Sequence, residues 1–179
     1  MDPARWLRRT PPSAWWQAGD ALSASWTERR VLERAGSEFG AFRWGYTVDP
    51  PLPGLTTKPL VTRDLLPLGS PGAMDLLYSL DDRMQAHTLD PEAIAVVARY
   101  LAADTIWAAN DLAFDRFRTP RPEEISALFR RPPTGLGAPV AYGTSVPNSR
   151  DIPMVAETSL SNAELGTPLA PVELVPVTD

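Results

Sequence analysis

The chain has 179 residues, and 44% of them are hydrophobic, which is enough to fill the core of one ordinary domain. Its formal net charge of −5 argues against general binding to nucleic acid, which requires a basic face. It has no Cys and a single His, which excludes disulfides, thiolate chemistry and any metal site built from several His or Cys.

The first predicted elements are one helix and one short strand. The helix is expected to begin after the Pro-Pro pair at 11–12, with Ser13 as its N-cap. Trp15, Ala18 and Leu22 recur at helical spacing and form its apolar face. Trp16 is then exposed, or it joins Trp15 in an anchor at a membrane interface. The strand follows at about 29–34.

Helix-start signatures mark the middle of the chain. Ser70 and Pro71 predict an N-cap with Pro at the first helical position, and Asp90 and Pro91 repeat this pattern. The elements predicted beyond residue 70 are a helix at 73–85, a helix reaching about 102, a buried strand at 104–110 and a helix at 122–130.

This order of elements predicts an α/β fold. We expect a small, mainly parallel sheet flanked by helices, with a long aromatic and Pro-rich loop and an extended Pro-rich C-terminal tail. A third strand is expected from the 40–66 region, or a partner domain covers an edge of the sheet. The predicted divisions are an N-terminal arm at 1–12, the α/β domain at 13–130, and a tail or linker at 131–179. Residues 172–177 are expected to form an edge strand or the approach to another domain.

The long loop has an unusual composition. It carries GSEFGAFRWGY at 36–46, DPPLPG at 49–54, KPLVTRD at 58–64 and LGSPG at 68–72. These runs are too irregular for one helix or strand, yet too rich in aromatic residues for a disordered linker. Long ordered loops are uncommon and often functional.

These runs carry a family resemblance. Residues 36–64, with DTIWAAND at 104–111 and FDRFRTPRP at 114–122, resemble the extracytoplasmic region of the actinobacterial α-(1→3)-arabinofuranosyltransferases. Those enzymes are large membrane glycosyltransferases of the GT-C type, and the resemblance covers about residues 13–178. It implies a soluble α/β segment that follows the membrane helices of a parent enzyme. For the parent it implies transfer of arabinofuranose from a polyprenyl-phosphate donor to cell-wall arabinan.

The resemblance also implies what this segment lacks. GT-C enzymes hold their catalytic carboxylate on a loop between early membrane helices, so no catalytic residue, cofactor or metal is expected here. The implied partners are a membrane glycosyltransferase domain, in cis or in trans, and arabinan or a lipid-linked sugar, but no nucleic acid. The parent family works at the extracytoplasmic face of the plasma membrane. This sequence has neither a secretory signal nor an apolar run of about 18 residues.

The loop contains candidates for ligand binding. Arg43, Trp44 and Tyr46 could bind a sugar or lipid phosphate, because a Trp face stacks on a sugar ring and Arg binds phosphate through two parallel hydrogen bonds. The alternative is that Phe42, Trp44 and Tyr46, at alternating positions, form one face of a half-buried strand. Glu38 and Asp49 are either paired carboxylates of the kind used in glycosyl chemistry or ordinary turn acids.

Two further pairs are candidates. Asn110 and Asp111 follow a predicted strand, where α/β folds place ligand groups, or they simply end that strand in a turn. Arg63 and Asp64 form either a structural ion pair or the lip of a site. His87 follows a helix and is expected to interact with the helix dipole. Three functions stay open: an accessory segment of the transferase, a stand-alone carbohydrate-binding module, or a structural lid.

Overall fold

The computed structural model describes residues 10–34, 40–63, 69–114, 119–148 and 167–178. The helices are α1 (Ser13–Ala24), α2 (Pro71–Gln85), α3 (Glu92–Tyr100) and α4 (Pro122–Arg130). The strands are β1 (Arg30–Arg34), β2 (Gly40–Phe42), β3 (Gly45–Val48), β4 (Leu60–Val61), β5 (Ala103–Ala109), β6 (Val140–Tyr142) and β7 (Val172–Pro176). The predicted helices, the strands near 29–34 and 104–110, and the third strand from the 40–66 region are confirmed.

Five strands form the main sheet, in the order β4-β1-β5-β7-β6. β1 runs parallel to both β4 and β5, whereas β7 runs antiparallel to both β5 and β6. Four of the five strands therefore point the same way, which confirms the predicted α/β fold with a mainly parallel sheet.

The predicted position of residues 172–177 at the edge of the sheet is wrong. β7 lies inside the sheet, because β6 pairs with it on the side away from β5. Val172, Leu174 and Val175 are all buried, as expected of a strand covered on both faces. The sheet thus extends past residue 130, where the sequence suggested that the α/β domain would end.

Two hydrophobic clusters pack on opposite faces of the sheet, because neighbouring strand residues point to opposite sides. Val31 and Trp107 join the cluster that includes Trp15 and Leu22 of α1. Leu32 and Ile106 join the other cluster. That second cluster includes residues of α2, α3 and α4, namely Leu77, Met84, Ile94, Ala98, Ile125 and Phe129.

The start of α1 differs from the prediction. Pro12 is the N-cap, no side chain caps the helix, and Ser13 is already its first helical residue. Pro12 has extended φ and ψ angles of −57° and 157°, so the transition to helix occurs one residue earlier than the Ser signal suggests. Further along α1, Gly19 allows the helix to approach the backbone closely, since a Cβ there would overlap the Leu55 carbonyl oxygen.

The aromatic loop contains a β-hairpin. β2 and β3 pair antiparallel, with Phe42 opposite Gly45 and Ala41 opposite Tyr46, and residues 43–44 form the turn. The alternative in which Phe42, Trp44 and Tyr46 line one face of a single strand is therefore wrong, because Trp44 lies in the turn and the chain reverses between Phe42 and Gly45. This reversal places the Phe42 and Trp44 rings in a parallel stack, with centroids 5.0 Å apart.

Candidate functional site

The candidate site lies at the carboxyl end of β5, where Asn110 and Asp111 follow the strand. The Asp111 Oδ2 accepts a hydrogen bond of 2.9 Å from the indole Nε1 of Trp15. Trp15 is fully buried in α1. This bond therefore joins the first helix to the end of a strand 96 residues away in sequence.

The hairpin turn packs through its backbone against this end of β5, and we call the meeting point of residues 43–44 and 110–113 the corner. The Arg43 amide donates to the Asp111 carbonyl oxygen at 2.7 Å, and the Ala113 amide donates to the Ala41 carbonyl oxygen at 3.0 Å. Three of the predicted site residues, Arg43, Asn110 and Asp111, are thus brought together.

Asn148, which the sequence did not single out, completes the corner. Its Nδ2 donates to the carbonyl oxygens of Asn110 and Leu112 at 2.9 and 3.0 Å, and its Oδ1 accepts a hydrogen bond from the Arg43 Nε. The Asn148 side chain, which follows β6 in sequence, therefore links the hairpin turn to the end of β5. A lone Asn in a Pro-rich segment carries no sequence signal for such a role.

Burial makes Asp111 the most perturbed acid of the corner. Burial raises the pKa of Asp111 from its ordinary 3.8 to about 7, outweighing the hydrogen bond from Trp15 and the positive charge of Arg43, which both lower it. Trp44 also lies close enough to lower the pKa, but its Nε1 makes no hydrogen bond of normal geometry. Near neutral pH the Asp111 carboxyl is therefore divided between its protonated and ionised forms.

The corner also holds buried polar atoms that have no hydrogen-bond partner among the described residues. They are the Asp111 Oδ1, the Asn110 Oδ1 and the Trp44 Nε1. Two acceptors and one donor are the kinds of partner that a buried water or a ligand hydroxyl requires. The chemistry available here is hydrogen bonding to a neutral polar group by a carboxyl that titrates near pH 7.

The predicted aromatic platform is mostly covered by protein. Trp44 is only 7% exposed; one ring face stacks on Phe42, and its ring meets that of Trp15 edge to face at 5.6 Å. Little of the indole is left for a sugar ring. Tyr46 lies on β3, opposite Ala41 in the hairpin, and is partly exposed.

Arg63 lies in a different cluster, and Asp64 is outside the described residues. Arg63 forms an ion pair with Asp81 of α2, and Arg34 at the end of β1 forms a second ion pair with the same carboxylate. The Arg63 guanidinium also lies 4.4 Å from the centroid of the Tyr78 ring. The side chains of Arg34 and Asp81 are only 3% and 2% exposed, so one buried carboxylate joins β1, α2 and the segment after β4.

The remaining acid and His candidates are Glu38, Asp49 and His87. Glu38 lies outside the described residues, and Asp49 is exposed beside β3. His87 is exposed just after α2, and its Nδ1 lies 4.0 Å from the Glu124 Oε2. No group of three or more His, Asp or Glu in the described ranges could hold a metal ion. Two clefts lie along α2, but Asn110 and Asp111 line neither of them.

Asp111→Asn is expected to remove much of the pH dependence of stability. A raised pKa means that the folded state binds more protons than the unfolded state, so stability is lost as pH rises from about 4 through 7. The loss is on the order of 4 kcal/mol, because each pKa unit corresponds to about 1.4 kcal/mol. Asn stays neutral and keeps an oxygen for the Trp15 indole.

Chemical denaturation at pH 5 and pH 8 measures this effect. The free energy of unfolding of the wild type should fall between the two pH values, and that of Asp111→Asn should fall much less. Asp20→Asn, an exposed change on α1, serves as the matched control and should behave as the wild type does. If the free energy of unfolding changes equally with pH in Asp111→Asn and in the wild type, the Asp111 carboxyl is not desolvated.

None of the described helices is long and apolar enough to cross a membrane. A sequence model of the family described as "Alpha-(1->3)-arabinofuranosyltransferase, N-terminal GT-C domain" matches residues 7–179. The search of curated proteins found no match.

Solved structures match the fold. A cryo-EM structure of the arabinofuranosyltransferase AftD from Mycobacteria has a TM-score of 0.75 and 24% identity, and the match covers 95% of this chain and 12% of that one. A mutant of the same enzyme matches with a TM-score of 0.75 and 24% identity, covering 95% of this chain and 13% of that one. This chain therefore spans only about an eighth of the length of these solved relatives.

Proposed function

This chain belongs to the alpha-(1->3)-arabinofuranosyltransferase family, and we propose that it is an accessory α/β segment that works with a membrane catalytic domain. The observation that carries the proposal is the family match over residues 7–179, combined with the small fraction of the solved relative that the chain spans. In this proposal the segment lies at the extracytoplasmic side of the membrane domain and shapes the entry of the acceptor.

In the parent enzyme, the proposed reaction transfers arabinofuranose from a polyprenyl-phosphate donor to cell-wall arabinan. An acceptor hydroxyl attacks the anomeric carbon, the bond from that carbon to the phosphate oxygen breaks, and the phosphate leaves on the lipid. A carboxylate elsewhere in the parent takes the hydroxyl proton.

The surroundings of Asp111 support an accessory role rather than catalysis by this segment. Its Oδ2 is used by the Trp15 indole and its Oδ1 is buried, whereas a general base must reach the proton that it removes. Asn148 and the Arg43 backbone hold the surrounding loops in place. These contacts favour a structural corner that keeps the hairpin in one position.

Two measurements on the purified chain test this proposal. Incubation with polyprenyl-phosphoryl arabinose and an arabinan acceptor should give no transfer product, and product formation would contradict the accessory role. Titration with arabinan, followed by Trp fluorescence, should give no saturating change. A saturating change that Arg43→Ala abolishes would instead favour a stand-alone carbohydrate-binding module.

A further inference from the structure

The hairpin of β2 and β3 is a two-stranded sheet of its own and pairs with none of the five strands of the main sheet. Among the described residues, its backbone is bonded to the rest of the fold at the corner. The Arg43 amide donates to the Asp111 carbonyl oxygen, and the Ala113 amide donates to the Ala41 carbonyl oxygen. One antiparallel bridge lies between these two bonds. Release of the hairpin at the corner would therefore leave the hydrogen bonds of the main sheet intact.

The aromatic stack of the corner belongs to the hairpin itself. Phe42 ends β2 and Trp44 lies in the turn, and their stacked rings are 5.0 Å apart. Both rings also meet the ring of Trp15 in α1 edge to face, with centroids 4.7 and 5.6 Å apart. A released hairpin would keep the stack and lose the contacts with Trp15. This loss opposes release, so the released state is the minor one.

The Asp111 carboxyl lies between the hairpin and α1. Its Oδ2 accepts the hydrogen bond from the Trp15 indole of α1, and Trp44 of the hairpin turn is close enough to lower its pKa. Its Oδ1 is buried and has no hydrogen-bond partner among the described residues. An ionised carboxyl in this position has lost its water in exchange for a single side-chain hydrogen bond of normal geometry, which compensates for little of the lost hydration.

Arg43 is the charged residue of the described chain that acts on this carboxyl, and its positive charge favours ionisation. Its guanidinium is also engaged elsewhere, since it donates to the Asn148 Oδ1 and lies 5.1 Å from the centroid of the Phe114 ring. The groups that act on Asp111 from α1 and from the end of β5 are uncharged, namely the Trp15 indole and the backbone of Asp111 itself. Burial outweighs all of them and raises the pKa of Asp111 to about 7.

We propose that the corner is a pH-sensitive latch, in which ionisation of the Asp111 carboxyl releases the β2–β3 hairpin from the end of β5 while the main sheet stays folded. Two elements cover the carboxyl. The helix α1 is held against the sheet by its own buried face, which includes Trp15, Ala18 and Leu22. The hairpin, by contrast, has its backbone bonds to the fold at the corner. The hairpin is therefore the element that yields when the charge requires water.

The direction of the effect follows from proton binding. The closed corner has the raised pKa, whereas in the released state the carboxyl returns towards its ordinary 3.8, so the closed state binds more protons. The closed state is therefore favoured most at low pH, and this preference is lost as pH rises from about 4 through 7. Between pH 5 and pH 8 the equilibrium constant for release should rise by at least about tenfold.

Hydrogen exchange of the full chain, measured at pH 5 and pH 8 over a series of low urea concentrations, tests the latch. The reporters are the amides of Arg43 and Ala113, which bond across the corner, and the reference is the Val31 amide, which bonds to the Pro59 carbonyl oxygen in the main sheet. After correction for intrinsic exchange rates, both reporters should open at least about tenfold more often at pH 8. Urea should affect this opening little, because a local release exposes little surface, whereas it should promote the opening that exposes Val31.

Two variants separate the latch from other effects of pH. Asp111→Asn cannot ionise but keeps an oxygen for the Trp15 indole, and it should abolish the pH dependence of both reporters. Asp49→Asn removes an exposed carboxyl beside the same hairpin and should behave as the wild type does.

Three results would overturn the latch. The first is that the Arg43 and Ala113 amides exchange only through the urea-dependent opening that exposes Val31. The second is a local opening that is equally frequent at pH 5 and pH 8, and the third is an unchanged pH dependence in Asp111→Asn. The inference depends on the corner alone and the exchange measurement involves no sugar donor or acceptor, so the latch and the proposed function fail separately.

Discussion

Replacing Asp81 by Ala is expected to lower the free energy of unfolding by about 3–5 kcal/mol, because it leaves two arginines without their shared buried counter-ion. The Asp81 side chain is 2% exposed, and both Arg34 and Arg63 pair with it. Desolvated guanidinium groups are costly unless a carboxylate compensates them. The Arg34 Nε is buried and already lacks a partner among the described residues, so Arg34 has little to replace the lost bond.

The neighbouring residue provides the control for this change. Asp82 lies on the same helix and is exposed, so Asp82→Ala should alter stability by less than about 0.5 kcal/mol. Urea denaturation followed by circular dichroism measures both variants. Similar small effects for Asp81→Ala and Asp82→Ala would mean that the ion pairs are solvated and hold little of the fold together.

Replacing Trp15 by Ala is the second change with a large expected effect, a loss of about 3–5 kcal/mol. Trp15 is fully buried, and its ring meets those of Phe42, Trp44 and Trp107 edge to face, with centroids 4.7–5.6 Å apart. The change also removes the indole donor to Asp111. Both the core on this face of the sheet and the candidate corner should loosen.

Trp16→Ala is the control variant, because Trp16 is adjacent to Trp15 in sequence but 43% exposed. Thermal unfolding should show a large drop in Tm for Trp15→Ala and a small one for Trp16→Ala. Trp15→Phe, which keeps most of the apolar volume, should recover part of the loss but not the hydrogen bond to Asp111. A Trp15→Ala protein as stable as Trp16→Ala would contradict the packing described above.

Local signals in the sequence predicted most of the regular elements. The helix at Pro122–Arg130 matches its predicted range, and Ser70 with Pro71 marks the start of α2. These signals succeed because Pro and apolar periodicity act within a few residues. The strand before Asn110 was found for the same reason, since 103–109 is a continuous β-rich run.

The features that the sequence did not predict depend on contacts between distant residues. β6 has three residues, two of them exposed, so no local pattern distinguishes it from a loop. Asp81 is a helical acid like its neighbours Asp75 and Asp82, and only the approach of Arg34 and Arg63 makes it a buried counter-ion. Trp15 was expected either in the core or in an anchor at a membrane interface, and its bond to Asp111, which spans 96 positions, has no local signal.

Three of the candidate ligand-binding residues lie together, since Arg43, Asn110 and Asp111 meet at the end of β5. That they bind a ligand at this edge of the sheet, as α/β folds often do, stays a prediction. Trp44 is near them but mostly buried, and Arg63 belongs to the Asp81 cluster. Sequence patterns identified residue types suited to ligands, but they could not distinguish an exposed ring from a stacked one.

The most direct measurement is a reconstitution of transfer in membranes. An enzyme of this family, from which the segment equivalent to residues 7–179 has been deleted, is assayed with polyprenyl-phosphoryl arabinose and an arabinan acceptor, with and without this chain. We predict little transfer by the deleted enzyme, recovery when the wild-type chain is added, and much less recovery with Asp81→Ala. Full transfer by the deleted enzyme, or transfer by this chain alone, would contradict an accessory role.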